Sequence, residues 1–567
     1  MSEPEQPLTA GRRPWILAVI SLFVITATIG VLSKSTSTVN ARQEEKPAKK
    51  ADDEKAEREP QPAPELDGGI AWLNTAGPIK MKDLKGKVVL LDFWTLCCIN
   101  CIHVMPDLAK LEKKYPNELV VIGVHSAKFE NEKDTKSIRQ AILRYEIAHP
   151  VVNDAEHKIW DRYNVSSWPT VSLIDPEGKY LGQATGEGNF DLLDKIIGKI
   201  IKDAKAKGTL DEKPMRFDLI RYRESKDTPL FFPGKVHADG KSNRLFIADS
   251  THHRIVITDL AGNKIDIIGT GSPGRTDGAF DVARFDDPQG MALDGETLYV
   301  ADRKNHCIRA IDLKAKTVST VAGTGTQEGD ATNRRIDQAI AGTSIGLNSP
   351  WDLLVIGREL YIAMAGHHQI WTMDLDTKKI KPYAGDGRED IKDGPLYAAR
   401  FAQPSGLATD GKFLYVADSE VSAIRKVPLG GDGRVSTLVG EGLFKFGDID
   451  GTAEKVRLQH ALGVIYHEGK LIIADTYNSK LKFLDPNTRT CTTFLGGDEA
   501  DSFFAGPLFN EPAGLSIANG KVYVADTNAN RIRVVDLATK KVSTLALKGV
   551  LPPPPQKEWL PPTELKK

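Results

Sequence analysis

The sequence predicts a multidomain chain with an N-terminal transmembrane helix, an α/β domain and an all-β six-bladed propeller. A chain of 567 residues is too long for one hydrophobic core. Residues 15–32 carry no charged side chain, whereas residues 66–210 alternate apolar runs of strand length with helical patterns. Residues 215–549 repeat one unit six times, which is typical of a propeller.

Residues 1–32 predict a membrane anchor with a short cytoplasmic tip. The apolar stretch from Trp15 to Leu32 is close to the length that crosses a bilayer. Arg12 and Arg13 precede it, and positive charge stays on the cytoplasmic side, so we expect both folded domains on the periplasmic side. The alternative is a signal peptide cleaved near Ala41, which would give a secreted form.

Composition sets further limits. The net charge is −1, and five cysteines are too few for a disulfide framework. Residues 33–65 are rich in charged residues and proline and predict a disordered linker, whereas residues 550–567 predict a Pro-rich tail. Basic residues do not cluster with aromatics, so we expect no nucleic-acid partner.

The α/β domain centres on a strand, a dithiol loop and a helix. The apolar run from Val88 to Trp94 leads to Cys98 and Cys101, and a helical pattern follows. A thiolate is favoured at the start of a helix, so Cys98 is the candidate attacking thiol. Cys101 lies one turn later on the same side and is positioned to resolve a mixed disulfide.

Three interpretations of these cysteines stay open, because Cys97 adds a third thiol beside Cys98. We favour a reversible disulfide between Cys98 and Cys101. A metal site would need ligands that no local spacing offers, and we expect no metal and no cofactor. The third interpretation is a redox-silent domain that only binds partners.

Several motifs in this region resemble the thioredoxin superfamily, and most closely its TlpA/ResA-like branch. They are Asp92-Phe93-Trp94, Met105-Pro106 and Trp168-Pro169-Thr170. Apolar runs that alternate with helices indicate a mainly parallel sheet. The resemblance implies a buried Asp92 that accepts the proton of Cys101, and a cis Pro169 beside the dithiol. It also implies two partners, a protein disulfide or dithiol substrate and a protein that donates or accepts electrons.

Some residues near the dithiol depart from that family or stay ambiguous. Cys97 stands where the family usually has Trp, and Asn100 where it often has Pro, and such changes tune redox poise. His103 could tune Cys98, but a solvated helix residue is the preferred interpretation. Trp168 could line a substrate groove, although packing against the core is favoured.

The repeated unit contains a strand of the type Leu-Tyr-Val-Ala-Asp. An apolar residue comes before it and is followed three positions later by proline, except in the fifth copy, where the pair is Leu458 and Ala461. The motif Asn305-His306-Cys307-Ile308 resembles NHL repeats, which form propellers. Each copy is long enough for the four strands of one blade. The repeated strands are Leu245 to Asp249, Leu298 to Asp302, Leu360 to Met364, Leu414 to Asp418, Leu471 to Asp475 and Val522 to Asp526.

Two features of the repeats suggest sites. His253, His306 and His368 hold equivalent positions, where the other copies have Ser or Asn, so a linking polar contact is favoured over a metal site. Lys235 and Asp352 replace a repeated Gly and are candidates for a ligand site at the channel mouth. The alternative is an exposed loop charge.

The sequence therefore favours a membrane-tethered, extracytoplasmic thiol–disulfide oxidoreductase whose propeller recognises a partner or substrate. A non-catalytic interaction scaffold is the second hypothesis. A lyase-like or sugar-binding propeller that uses a divalent metal is the third.

Overall fold

The computed structural model describes residues 61–224, 227–329, 338–430, 432–497 and 508–554. These residues form an α/β domain followed by a six-bladed propeller. The fold class needs one correction, since the expected transmembrane helix at Trp15 to Leu32 lies outside the described residues. Within the described ranges no helix is long and apolar enough to span a bilayer.

The α/β domain has one six-stranded sheet with strand order β1-β4-β3-β2-β5-β6. Only β2, β3 and β4 run parallel, while β1, β5 and β6 pair antiparallel, so the expected mainly parallel sheet is a mixed one. The apolar runs of β2 and β3 place both strands at the buried centre. The strands are β1 Ala71–Leu73, β2 Val88–Trp94, β3 Leu119–His125, β4 Val151–Asn153, β5 Thr170–Ile174 and β6 Tyr180–Thr185.

Four helices cover this sheet: α1 Ile99–Lys114, α2 Thr135–Arg144, α3 Lys158–Arg162 and α4 Phe190–Lys207. Helix α1 begins directly after Cys98, so it contains Cys101 in its first turn, and it also contains Pro106. Asp134 caps α2, because its carboxylate accepts the N–H of Lys136 at 3.0 Å. The β2–loop–α1 connection therefore holds the dithiol at the C-terminal end of the central strand β2.

Each propeller blade has four main antiparallel strands, ordered from the central axis outward, and blades 2 to 5 each add a two-residue strand at the outer edge. These short strands are Gly278–Ala279, Ile340–Ala341, Gly394–Pro395 and Gly451–Thr452. Blade 1 contains Val236–Asp239, Arg244–Asp249, Arg254–Asp259 and Lys264–Ile268, and blade 2 contains Pro288–Asp294, Thr297–Asp302, Cys307–Asp312 and Thr317–Ala322. Blade 3 contains Pro350–Ile356, Glu359–Met364, Gln369–Asp374 and Lys379–Ala384, and blade 4 contains Pro404–Thr409, Phe413–Asp418, Ala423–Pro428 and Arg434–Val439. Blade 5 contains Gly463–His467, Lys470–Asp475, Lys480–Asp485 and Thr490–Gly496, and blade 6 contains Pro512–Ala518, Lys521–Asp526, Arg531–Asp536 and Val542–Thr544.

Side chains at one repeated position join each blade to the next. His253 Nδ1 accepts the N–H of Asp287 at 3.3 Å, and Asn530 of blade 6 accepts the N–H of Phe232 at 2.7 Å, so the ring is closed. The expected role of the histidines as polar links is thereby confirmed. In the other blades, Ser and Asn side chains accept the equivalent hydrogen bond from the next blade. The remaining acceptors are His306, His368, Ser422 and Ser479, which bind the N–H groups of Ser349, Gln403, His460 and Glu511.

Candidate functional site

The dithiol lies at the N-terminus of α1, as the sequence predicts. Cys98 is the N-cap residue, and its sulfur accepts the N–H of Cys101 at 3.3 Å. Burial, followed by a hydrogen bond with Cys98, raises the pKa of Cys101 well above its usual value. Cys98 is 9% exposed and Cys101 is 0% exposed. The two sulfurs are therefore placed to react with each other, while the surroundings restrict access to them.

Asp92 lies in the middle of β2, buried behind the dithiol loop. Burial raises the pKa of its carboxyl to about 7, although His149 opposes the shift. Among the described residues, Asp92 Oδ1 has no hydrogen-bond partner. After burial and Cys98, the charge of Asp92 adds a smaller contribution that raises the pKa of Cys101. A carboxyl with such a pKa can take up or release a proton near neutral pH.

The thiol of Cys97 contacts the propeller. Its Sγ donates to Glu420 Oε1 at 3.5 Å, and its backbone N–H donates to Glu132 Oε1 at 2.9 Å. Burial, and then these two carboxylates, raises the pKa of the Cys97 thiol. Cys97 is thus held as a protonated thiol and is a poor nucleophile.

The remaining predicted neighbours of the dithiol differ in their packing. Trp94 is fully buried at the end of β2, and its ring meets that of His125 edge-on at 4.7 Å. Asn100 is half-buried in the first turn of α1. Trp168 packs against Trp160 at 4.7 Å, which supports its interpretation as a packing residue. The Trp168–Pro169 peptide bond is cis, as the resemblance implied.

The propeller presents a ring of six residues, one from each blade, on the face that packs against the α/β domain. We call this set the docking ring; each member precedes the first residue of the innermost strand, or lies close before it. Its members are the residues that donate their backbone N–H groups to the side chains that link one blade to the next. They are Phe232, Asp287, Ser349, Gln403, His460 and Glu511.

The docking ring contacts the dithiol segment directly. Ile99, the residue after Cys98, donates its backbone N–H to Gln403 Oε1 at 2.9 Å. The Ile99 side chain packs with Trp351 and Leu462 at the axis of the propeller. One of the N–H groups at the start of α1 is therefore already bound by the propeller.

His103 joins the same interface. Its Nε2 lies 2.7 Å from Ser349 Oγ, and its Nδ1 lies 2.6 Å from Glu187 Oε2. The side chain is buried, so the preferred interpretation as a solvated helix residue is wrong. The sequence could not show this, because the residue that buries His103 lies 246 positions away.

Two ion pairs strengthen the contact between the domains. Lys128 Nζ lies 2.9 Å from Glu420 Oε1, and both side chains are almost fully buried. Arg144 Nη1 lies 3.3 Å from Glu511 Oε2. Because removing one partner of a buried pair leaves an uncompensated charge, these pairs favour the docked arrangement once it has formed.

Lys235 and Asp352 meet inside the propeller, 3.2 Å apart, and Lys235 Nζ also donates to the carbonyl oxygens of Ser405 and Leu462. Both alternatives from the sequence assumed that these charges would be accessible, whereas they are turned toward each other and Lys235 is buried. A Cβ at Gly290 would lie 2.4 Å from Asp352 Cα, so the innermost strands leave little space at this level.

The docking ring was missed in the sequence, although a signal for it exists. The residue before the repeated proline, which is Ala461 in the fifth copy, differs in every copy: Phe, Asp, Ser, Gln, His and Glu. Variation at a fixed position of a repeat indicates a binding surface. Elsewhere, the described residues contain no group of three or more His, Cys, Asp or Glu side chains arranged to hold a metal.

Comparisons with known proteins agree with this architecture. Residues 86–180 match the thioredoxin-like family, and residues 285–311 and 509–535 match the NHL repeat. The α/β domain is also similar to thiol-disulfide oxidoreductase YkuV of Bacillus subtilis, with 28% identity over 26% of this chain and 97% of that protein.

Longer matches include both domains. The chain is 45% identical to NHL repeat-containing protein 2 of Bos taurus over 85% of its own length and 71% of the relative. It is 44% identical to protein SUPPRESSOR OF QUENCHING 1 of Arabidopsis thaliana over 88% of its own length and 49% of that protein. By its identity to the first of these over most of both chains, the chain belongs to the NHL repeat-containing protein 2 family.

Proposed function

We propose that the protein is a thiol–disulfide oxidoreductase that uses the Cys98–Cys101 dithiol beneath the propeller. The observation that carries the proposal is the 3.3 Å contact from the Cys101 N–H to Cys98 Sγ at the N-terminus of α1. The buried Asp92 behind it adds a proton acceptor with a pKa of about 7. Similarity of this domain to a named thiol-disulfide oxidoreductase supports the same chemistry.

The residues divide the exchange reaction between them. Cys98 attacks a substrate disulfide, because it is the N-cap of α1 and the most exposed of the three thiols of this loop. Cys101 then loses its proton to Asp92 and attacks Cys98, which releases the substrate and leaves a Cys98–Cys101 disulfide. Pro169 presents its neighbouring backbone to the bound substrate. A second dithiol partner returns the protein to its starting state.

A matched pair of variants tests this function. In Cys98→Ser, exchange with a disulfide peptide should fall to the uncatalysed rate, because the attacking sulfur is gone. In Cys97→Ser, exchange should stay within about threefold of the wild type, since Cys97 is held as a thiol by Glu420. Unchanged exchange in Cys98→Ser would reject the proposal.

A non-catalytic scaffold is the second candidate, and the burial of the dithiol favours it. All three cysteines of the loop are buried against the propeller. Alkylation of the reduced chain separates the two functions. An exchange enzyme must expose Cys98 and be alkylated there within minutes, whereas a scaffold would resist alkylation at Cys98 as strongly as at Cys101.

A further inference from the structure

Three polar side chains form a chain of two hydrogen bonds where α1 meets blade 3. His103 Nε2 lies 2.7 Å from Ser349 Oγ, and His103 Nδ1 lies 2.6 Å from Glu187 Oε2. His103 belongs to α1, Glu187 to the connection between β6 and α4, and Ser349 to the docking ring. Because the three residues come from two domains, the docked arrangement is what assembles them.

The proton positions in this chain follow from the partners. The Glu187 carboxylate accepts hydrogen bonds, so His103 Nδ1 carries the proton and donates it. The lone pair of His103 Nε2 then accepts the hydroxyl hydrogen of Ser349. Burial opposes ionisation of Glu187, but its contacts with His103 and Gln327 together lower the pKa of this carboxyl. A serine is therefore hydrogen-bonded to a histidine that an ionised carboxylate orients, which is the arrangement of an activated nucleophile.

Neighbouring groups hold the members in place. Gln327 Nε2 donates to Glu187 Oε2 at 3.1 Å, and His306 Nδ1 accepts the backbone N–H of Ser349 at 3.0 Å. The side chain of His103 is buried between them. The nucleophile, the base and the orienting carboxylate are thus fixed before any substrate binds, as covalent catalysis requires.

A cleft of about 350 Å³ lies between α1 and blades 2 and 3, and both His103 and Ser349 line it. Clefts of about 300 Å³ and above hold small-molecule ligands. Arg303 also lines the cleft and is buried, and its Nε has no hydrogen-bond partner among the described residues. This N–H is the candidate donor to a carbonyl oxygen that gains negative charge during attack.

The charges of the cleft do not select an ionic ligand. Lys110 Nζ lies 2.9 Å from Asp107 Oδ1, and the guanidinium of Arg303 pairs with Asp287. Cations and carboxylates are therefore matched around the opening. Apolar surface in the α1 wall comes from Ile102 and Pro106. An uncharged small molecule suits such a lining better than an anion or a cation does.

We propose that Ser349, His103 and Glu187 form a hydrolase site, in which Ser349 cleaves small, uncharged acyl esters bound in this cleft. Ser349 is the nucleophile, His103 is the general base and acid, and Glu187 is a positioning residue that acts through His103. This activity is separate from the proposed thiol–disulfide exchange, because the residues that line the cleft include neither Cys98 nor Cys101.

The reaction balances with water as the second reactant. Ser349 Oγ attacks the carbonyl carbon of the ester while His103 Nε2 takes its proton. The ester C–O bond breaks, and His103 returns the proton to the leaving alkoxide, which departs as an alcohol. Water then attacks the acyl-serine with His103 again as the base, so that a carboxylic acid leaves and the Ser349 hydroxyl is restored.

Diisopropyl fluorophosphate tests the reactivity of Ser349 in the full chain, since it is uncharged and modifies activated serine hydroxyls. Peptide mapping should locate the label at Ser349 in the wild type, and Ser349→Ala should lack it. Ser344→Ala is the matched control, because Ser344 is exposed in the same blade, and it should be labelled at the wild-type rate. A folded wild type that stays unlabelled at Ser349 would overturn the proposal.

Glu187→Gln separates a positioning role from a structural one. Labelling of Ser349 should slow about 100-fold, because the amide no longer fixes His103 as an effective base. Alkylation of Cys98 should keep its wild-type rate, which reports that the domains stay docked. An unchanged labelling rate, or slower labelling together with faster alkylation of Cys98, would assign Glu187 to docking alone and overturn its role in the site.

Ester hydrolysis tests the substrate class. The wild type should hydrolyse p-nitrophenyl acetate at least about 100-fold faster than Ser349→Ala, and the thiols, which both chains share, cannot cause that difference. The charged ester p-nitrophenyl hemisuccinate should be a poorer substrate. Equal hydrolysis of p-nitrophenyl acetate by the two chains would overturn the hydrolase site, and a preference for the hemisuccinate would overturn the uncharged substrate class.

Discussion

Buried aspartates occur in both domains, and their surroundings differ. In the propeller, Asp302 pairs with Arg309 at 2.7 Å and accepts the N–H of Asp286 at 2.8 Å, and Asp418 is held in the same way by Arg425 and Ala402. Asp92 of the α/β domain has a carboxylate oxygen with no partner among the described residues. A partnered carboxylate stabilises a fold, whereas an unsatisfied one beside two thiols is available for proton transfer.

The largest effect should come from breaking a partnered aspartate. Arg425→Met leaves Asp418 as an unpaired buried charge, so the free energy of unfolding should fall by about 3–5 kcal/mol. Denaturant unfolding of the full chain measures this loss. Asp92→Asn is the control that removes no ion pair and should not cause such a loss. If the free energy of unfolding of Arg425→Met fell by less than about 1 kcal/mol, the ion pair between Arg425 and Asp418 would not be needed for stability.

The second prediction concerns pH and stability. Burial raises the pKa of Asp92 from 3.8 to about 7 in the folded chain. Between these values the folded state binds more protons than the unfolded state, so this contribution to stability is complete below pH 3.8 and is lost as the pH rises toward 7. The loss should reach about 4 kcal/mol, at about 1.4 kcal/mol for each pH unit between 3.8 and 7.

Unfolding measured from pH 4 to 8 in the wild type and in Asp92→Asn isolates this effect. The difference between the two chains should change with pH over that window, because Asn cannot ionise. A constant difference would contradict the raised pKa of Asp92.

The third prediction sharpens the role of the unpartnered carboxylate. Asp92→Asn cannot accept the proton of Cys101, so resolution of the mixed disulfide should slow about 100-fold near pH 7, as is typical of a lost general base. Rapid quenching and mass spectrometry separate this step from the first attack. The attack by Cys98 should keep its rate, and an equal slowing of both steps would assign Asp92 a structural role.

The smallest expected effect concerns an ion pair between the domains. Glu420→Ala leaves Lys128 buried without its carboxylate and removes the acceptor of the Cys97 thiol. The free energy of docking between the two domains should weaken by about 1.4 kcal/mol. Alkylation of Cys98 should therefore become about tenfold faster. Glu454→Ala removes an exposed pair with Arg489 and should leave the rate unchanged. Equal alkylation in both variants would mean that Glu420 does not hold the domains together.

The sequence predicted the features that depend on local patterns. The strand, dithiol and helix around Cys98 follow from apolar runs and spacing, and six repeats of one strand pattern give six blades. The linking role of His253 was also predictable, because Ser and Asn occupy the same position in other copies. These features need only neighbouring residues or a comparison between repeats.

The contact between the domains could not be predicted in this way. Ile99 and Gln403 are 304 positions apart, and no periodicity connects them. His103 is buried because the propeller docks on the α/β domain. Lys235 meets Asp352 because the six blades close into a ring. Physical reasoning from one sequence lacks the long-range geometry that brings such residues together.

The most direct test of the account is the capture of a mixed disulfide in Cys101→Ser. Without the resolving thiol, a substrate half bound to Cys98 has no internal route of release, so the full chain treated with oxidised glutathione should gain the mass of one glutathione at Cys98. Peptide mapping locates the adduct. An adduct at Cys97, or no adduct while the wild type reacts, would contradict the assignment of Cys98 as the attacking thiol and Cys101 as the resolving one.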